Sequence, residues 1–210
     1  MIRYNTILKG ATSEQVIEKS KFITSVCPVE TKEEADAFIT EIRGKYKDAT
    51  HNVPAMVIGD KFQIQWASDD GEPQGTAGAP IVQMLVKEGI TNIAIVVTRY
   101  FGGIKLGTGG LVRAYTSSAK CGLEAAEICA VKDMSVVTVK LDYTYLSKLQ
   151  NLSLSSDFDI QQLIYEDAVI AQLCIDSEKE QVLKEILANL TGGSVLFLED
   201  KLELVKVSIG

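Results

Sequence analysis

A chain of 210 residues, 46% apolar and 23% charged, carries enough apolar material for one large core or two small ones, which excludes a disordered tract. The formal net charge of −7 excludes broad, non-specific affinity for nucleic acid, so any such contact has to be local. No apolar run approaches bilayer length and MIRYNTILKG holds no signal-type stretch, so a cytoplasmic protein without membrane contact is expected.

In chain order, residues 1–10 suit a short strand and Gly10 to Ser13 a turn. Phe22 to Val29 alternates as a second strand. Thr31 and Glu34 have capping-box spacing, and the helix they open carries Ala35, Phe38, Ile39, Ile42 and Tyr46 on one 3.6-residue stripe. A polar loop over residues 45–52 leads to a hairpin, Ala55 to Ile58 and Phe62 to Ala67, around Gly59-Asp60. Residues 68–78 form a loop without hydrophobic anchors. Pro80 then suits the first turn of a short helix that carries Ile81, Leu85 and Val86 and stops at Gly89. Ile93 to Thr98 is a continuous β-branched run, too short for a core helix and suited to a strand buried on both faces. A glycine-dense loop over residues 101–110 follows, and a helix is expected from Leu111 to about Ile128. Trp66 is expected in the core. Tyr100 and Phe101 either pack there or present rings that stack on a base or anchor a partner.

A second pattern starts near Ala130 to Asp133, which divides the chain into domains 1–130 and 131–210. Val136 to Leu141, Ile160 to Tyr165, Val169 to Ile175 and Val195 to Val207 are strand material. Tyr145, Leu149 and Leu152 mark one helix. Ser177 with Glu180 caps another, which carries Val182, Leu183, Ile186, Leu187 and Leu190 and ends at Gly192-Gly193. The order β-α-β-β-α-β is that of a ferredoxin-like sandwich. Residues 1–130 hold 14 basic and 15 acidic side chains and residues 131–210 hold 7 and 13, so the acidity is concentrated in the second part. Cys27, Cys121, Cys129 and Cys174 have no CxxC spacing and His51 is the only histidine, so no structural zinc site is expected. The four cysteines suit small buried hydrophobes in a reducing compartment.

Two loops carry the chemistry. Phe101 to Gly110 holds Gly102, Gly103, Gly107, Gly109 and Gly110 between a strand and a helix, beside Arg99, Lys105 and Arg113. Backbone N–H groups at a helix N-terminus next to such cations form an anion cradle. The loop is neither a Walker A loop, since Thr108 and Gly109 stand where Lys and Ser/Thr belong, nor a dinucleotide fingerprint, since Val112 replaces the third glycine. It is a tight corner, a loop that contacts phosphate or backbone, or part of an enzyme site. In the acidic loop, Asp69, Asp70 and Glu72 suit either an acid/base pair or Mg²⁺ site, or simple turn formation, with Asp70-Gly71 as turn chemistry. The turn reading is preferred.

SDDGEPQGTAGAPI over residues 68–81, followed by VVTRYFGGIKLGTGGLVRAY over residues 96–115, resembles the YigZ/IMPACT family in both order and spacing. The resemblance extends back through Ser20-Lys21-Phe22 and Ala49-Thr50-His51-Asn52, covering most of residues 15–128; the last third resembles the C-terminal domain of bacterial members. Members often carry Cys after the His-Asn pair, where this chain has Val53, so no thiol role is expected there. The resemblance implies an α+β protein: an N-terminal domain like the second domain of ribosomal protein S5, then a ferredoxin-like domain. That pairing is similar to the last two domains of elongation factor G. It further implies partners in translation, whether RNA, the ribosome or a translation-regulatory protein. No cofactor or metal centre is expected.

Three functions remain open. The preferred one is a non-enzymatic binding protein whose ligand-contacting surface comprises Asp69, Asp70, Gly71, Glu72, Arg99, Tyr100, Gly102, Gly103, Lys105, Gly107, Thr108, Gly109, Gly110 and Arg113. In it Arg99, Lys105 and Arg113 contact phosphate or an acidic partner, and the carboxylates orient those cations. The second is a small-molecule phosphotransferase or hydrolase using both loops; the chain has no GxSxG elbow, and His51 alone would supply an imidazole. The third is a protein-interaction module in which both loops are scaffold.

Overall fold

In the computed structural model, which describes residues 2–209, the apolar run at Ile93 becomes β6 (Ile93–Tyr100). It is the middle strand of a sheet ordered β2-β3-β6-β4-β5, where β2 is Ala11–Ile17, β3 Ser20–Pro28, β4 His51–Ile58 and β5 Ile64–Ala67. Every pairing in that sheet is antiparallel. Side chains alternate across a strand. Ile93, Ile95 and Val97 therefore enter one core with α2 (Gly78–Lys87) and α3 (Gly107–Ala126). Ala94 and Val96 enter another beneath α1 (Lys32–Lys45). Helices on both faces explain why β6 lacks polar alternation, as expected for a doubly buried strand. Each large apolar side chain buried this way contributes about 1.5–3 kcal/mol.

The elements around β6 differ from expectation in instructive places. Gly10 to Ser13 is not a turn: β1 (Ile2–Ile7) ends earlier, and β2 pairs with β3 from Ala11↔Val26 to Ile17↔Ser20. Glu18 and Lys19 close that hairpin with φ of 45° and 65°, the left-handed pair that two-residue hairpin loops use. The strand carries no clear apolar alternation, because its outward positions are Thr12, Glu14 and Val16 and its inner ones are only half-buried. His51 and Asn52 belong to β4 rather than to the preceding loop. Phe62, with φ 57°, lies in the turn before β5. Trp66 is 42% exposed, not core, because β5 is the sheet edge. Thr31 Oγ1 accepts from the Glu34 N–H at 3.2 Å, as the capping box requires, but the Glu34 carboxylate accepts from Glu30 N at 2.8 Å. The helix after the glycines starts at Gly107 instead of Leu111, so only residues 101–106 remain as loop and Gly107 to Gly110 form the first turn.

The chain divides into two compact units, built mainly of residues 4–130 and of residues 131–206. Residues 130–133 are strand: β7 (Ile128–Leu141) runs unbroken through them. Then come α4 (Leu146–Ser153), β8 (Phe158–Tyr165), β9 (Val169–Asp176), α5 (Glu180–Leu190) and β10 (Leu196–Ser208), so the β-α-β-β-α-β order is realised. The sheet runs β1-β7-β9-β8, with β10 also on β7. Its core includes Val137, Val139, Leu149, Phe158, Leu173, Leu183 and Leu187. Val182 is 53% exposed, contrary to expectation, because the apolar stripe of α5 is narrower than read. Ser177 and Glu180 form no capping box. Asp176 accepts from Glu178 N at 3.2 Å to start a short 3₁₀ turn, and Glu180 accepts from Ser135 Oγ at 2.7 Å. Cys129 and Cys174 are buried, Cys27 and Cys121 only partly. Among the described residues no helix is long and apolar enough to cross a membrane.

Candidate functional site

Antiparallel pairing places Arg99, near the end of β6, opposite Phe22 on β3 and His51 on β4. Arg99 continues the inward face of Val97, so its guanidinium enters the edge of the core with only 5% of the side chain exposed. Its Nη1 donates to Glu72 Oε1 at 2.7 Å and its Nη2 to Ser20 Oγ at 3.3 Å. The Tyr115 hydroxyl from α3 donates to the same Glu72 oxygen at 2.7 Å, and His51 Nε2 lies 3.8 Å from it. Burial, then the Glu72 hydrogen bond and charge, push the Tyr115 hydroxyl far above the ordinary phenol range, so it remains a donor. Phe22 and Phe101 hold the guanidinium between their rings, at 5.5 and 5.4 Å from the ring centroids. Phe22 in turn packs edge-on against Tyr115.

The acidic loop is held from within. Asp69 accepts backbone N–H bonds from Gly75, Ala77 and Gly78. Burial acts to raise its pKa, but bonds from Gly75, Gly78 and Ala77 more than offset this and hold the carboxyl below its usual value. Asp70 accepts from Asn52 N at 2.6 Å and from Arg43 Nη2 at 3.0 Å, while its carbonyl lies 2.7 Å from His51 Nδ1. Asp70 and Gly71 have φ of 48° and 91°, so the turn reading of this pair is realised. A side chain at Gly71 would lie 3.3 Å from His51 Nδ1, a second reason for glycine. Glu72 points into the core instead and pairs with Arg99. Among the described residues no three His, Cys, Asp or Glu side chains are grouped to hold a metal ion.

The glycine corner has a packed half and an open half. Gly102 N donates to Ser20 Oγ at 3.3 Å, and a Cβ there would fall 1.9 Å from the Lys19 carbonyl oxygen, so backbone packs on backbone. Tyr100 is half-buried, its hydroxyl donating to Asp48 at 3.0 Å. Phe101, by contrast, is 46% exposed, with its N–H fixed on Thr50 Oγ1. Beyond Gly103, Lys105, Gly107, Thr108, Gly109 and Arg113 are all exposed. The first turn of α3 has no acidic residue and no side-chain cap. Its leading N–H groups and dipole therefore face solvent, which favours an anion. Lys105 and Arg113 line a cavity there together with Glu18, Ile104, Gly110 and Ser117. Among the described residues neither cation forms an ion pair.

The two loops are thus neighbours, joined by the Arg99–Glu72 pair, and both line a smaller cavity of about 360 Å³. The three cations are not equivalent. Arg99 is buried and internally paired, Arg113 opens on a different cavity, and Lys105 borders both. Sequence reasoning missed Tyr115 and Arg43 as partners of the acidic loop, and Ser20 as the partner of Arg99 and of the glycine corner. Ser20 and Tyr115 are both fully buried, which their polar and charged sequence neighbours do not signal.

The Impact N-terminal domain model matches residues 18–123. The chain is 38% identical over 206 residues to the IMPACT family member YvyE of Bacillus subtilis (strain 168), covering 98% of this chain and 95% of that protein. It is 34% identical over 189 residues to the IMPACT family member YigZ of Escherichia coli (strain K12), covering 89% and 93%. A crystal structure of a hypothetical protein, 31% identical, superposes with a TM-score of 0.58 and covers 99% of this chain and 98% of that one.

Proposed function

The chain belongs to the IMPACT family, and we propose that it is a non-enzymatic, cytoplasmic binding protein of the translation apparatus that contacts RNA phosphate through Lys105, Arg113 and the first turn of α3. The observation that carries this reading is the uncapped, solvent-facing start of a 20-residue helix flanked by two exposed cations without ion-pair partners among the described residues. Phosphate oxygens are the ligands such N–H groups and side chains recognise. A local basic corner also fits a chain whose bulk charge is negative, since affinity then comes from a few defined contacts.

The acidic loop supports binding over chemistry. Phosphoryl transfer needs a metal-holding acid and a base aimed at the phosphate. Here Asp69 ties down backbone, Asp70 bonds Asn52 and Arg43, and Glu72 is buried against Arg99 and Tyr115. We read the first unit as an S5 domain 2-like fold and the second as ferredoxin-like, the pairing of the last two domains of elongation factor G. The support is the helix-covered antiparallel sheet and the β-α-β-β-α-β order.

Fluorescence anisotropy with labelled RNA across a salt series tests the reading. Lys105→Glu with Arg113→Glu is expected to weaken binding at least tenfold. For a single strand the slope of log K against log salt is expected to fall by about 1.4, at about 0.7 per phosphate lost. Unchanged affinity and slope in the double variant would remove the proposed contact.

A further inference from the structure

The cavity of about 360 Å³ between the acidic loop and α3 combines surfaces that phosphate contact alone does not require. One wall is Phe101, nearly half exposed yet held in place by Thr50 on its N–H and by the Arg99 guanidinium 5.4 Å from its ring. A ring fixed in advance loses little freedom when another ring stacks on it. Pro73, Leu106 and Leu111 supply apolar surface, and the buried Arg99–Glu72 pair supplies a polar floor. Arg99 Nε is buried and has no hydrogen-bond partner among the described residues, a leftover donor in a side chain that lines the cavity. At the mouth stand exposed Lys105 and Thr108 with Gly107, the start of α3. The volume is that of a small-ligand pocket.

An aromatic wall, a polar floor and an anion-favouring mouth together match a flat ring with polar edges that carries a phosphate. We infer that this cavity takes one unpaired nucleotide of a single-stranded RNA, its base stacked on Phe101 and its phosphate at Lys105 and the first turn of α3. The inference rests on the RNA reading above and names the form of RNA: a base that is paired and stacked within a duplex cannot enter. Stacking of a base on an aromatic side chain tolerates any sequence, so selection is for strandedness.

The test measures anisotropy of the full chain with a labelled 12-nucleotide single strand and a 12-base-pair duplex, with AMP as competitor. The single strand is expected to bind at least tenfold more tightly than the duplex. Phe101→Ala should bring it down to the duplex value, leave duplex binding unchanged, and be rescued by Phe101→Trp. Should Phe101→Ala disturb Arg99, Thr108→Glu serves instead. An acid in the first turn suits the helix, so the melting temperature holds while single-strand affinity falls. AMP is expected to compete at least tenfold more weakly than the strand, because it lacks the neighbouring phosphates. Full single-strand affinity in Thr108→Glu overturns both readings, whereas equal binding of strand and duplex, or full single-strand affinity in Phe101→Ala, overturns the nucleotide pocket and leaves the phosphate reading standing. AMP competing as well as the strand overturns it in favour of a free nucleotide. RNA binding indifferent to Lys105→Glu with Arg113→Glu overturns both.

Discussion

Arg99 and Arg113 carry the same group fourteen positions apart in one motif, yet the fold treats them in opposite ways. Arg99 ends a central strand and is 5% exposed, bonded to Glu72 and Ser20 and flanked by Phe22 and Phe101. Arg113 stands exposed in the second turn of α3 beside an uncapped helix start. In the first region the protein supplies its own anion, and in the second it offers cations to solvent. A basic patch read from sequence is therefore two objects, a structural clamp that fixes the acidic loop and an open corner. The clamp braces Phe101 and forms the cavity floor.

Removing one member of the clamp gives the largest expected effect. Glu72→Ala or Arg99→Ala leaves a buried charge without its partner and should cost about 3–5 kcal/mol in urea denaturation. The joint replacement Glu72→Leu with Arg99→Met should cost less than either, since burying an ion pair is itself expensive. Losses under about 1 kcal/mol for both single variants would mean that the clamp behaves as a surface pair. Arg99→Ala is accordingly a stability variant first, although the sequence places Arg99 with Lys105 and Arg113 among the cations expected to contact phosphate or an acidic partner.

Next in size is Asp69, which holds three backbone N–H groups in the acidic loop and at the start of α2. Asp69→Ala should cost about 1–2 kcal/mol at neutral pH, the range for lost caps. The folded-state pKa is lowered, so this contribution is complete above the unfolded value of about 3.9 and is lost as pH falls through the folded value. Denaturation across pH 7 to 2 should show the gap between Asp69→Ala and the parent chain closing at the acid end. A constant gap would mean that the ionised carboxylate is not what holds the loop.

The smallest effect on stability belongs to the open corner. Lys105→Glu with Arg113→Glu should stay within about 0.5 kcal/mol of the parent, as exposed substitutions do, while RNA affinity falls. A large loss of stability there would erase the distinction between the two regions.

Much of this was legible in local pattern. The β-branched run of β6, the stripe of α1 and the order of elements after residue 131 follow from periodicity, which acts over a few residues. β2 was not legible, because its polar outward face and half-buried inner face gain stability only by pairing with β3. The first half of β7 was hidden likewise, since the polar stretch Lys132-Asp133 imitates a linker while sitting within a paired strand. In the site, acid and glycine density marked both loops. That Glu72 turns inward to Arg99 and Tyr115, while Lys105 and Arg113 stay outside, rests on contacts spanning 27 and 43 residues.

By itself the sequence determined the doubly buried strand β6, the helical stripe of α1, the two loops and where charge gathers, because backbone sterics and hydrophobic spacing act between near neighbours. Only the tertiary structure decided which cation is sealed in the core and which faces water. That choice depends on strand register and on helices arriving from distant parts of the chain, and solvent exposure is what separates a structural arginine from a binding one.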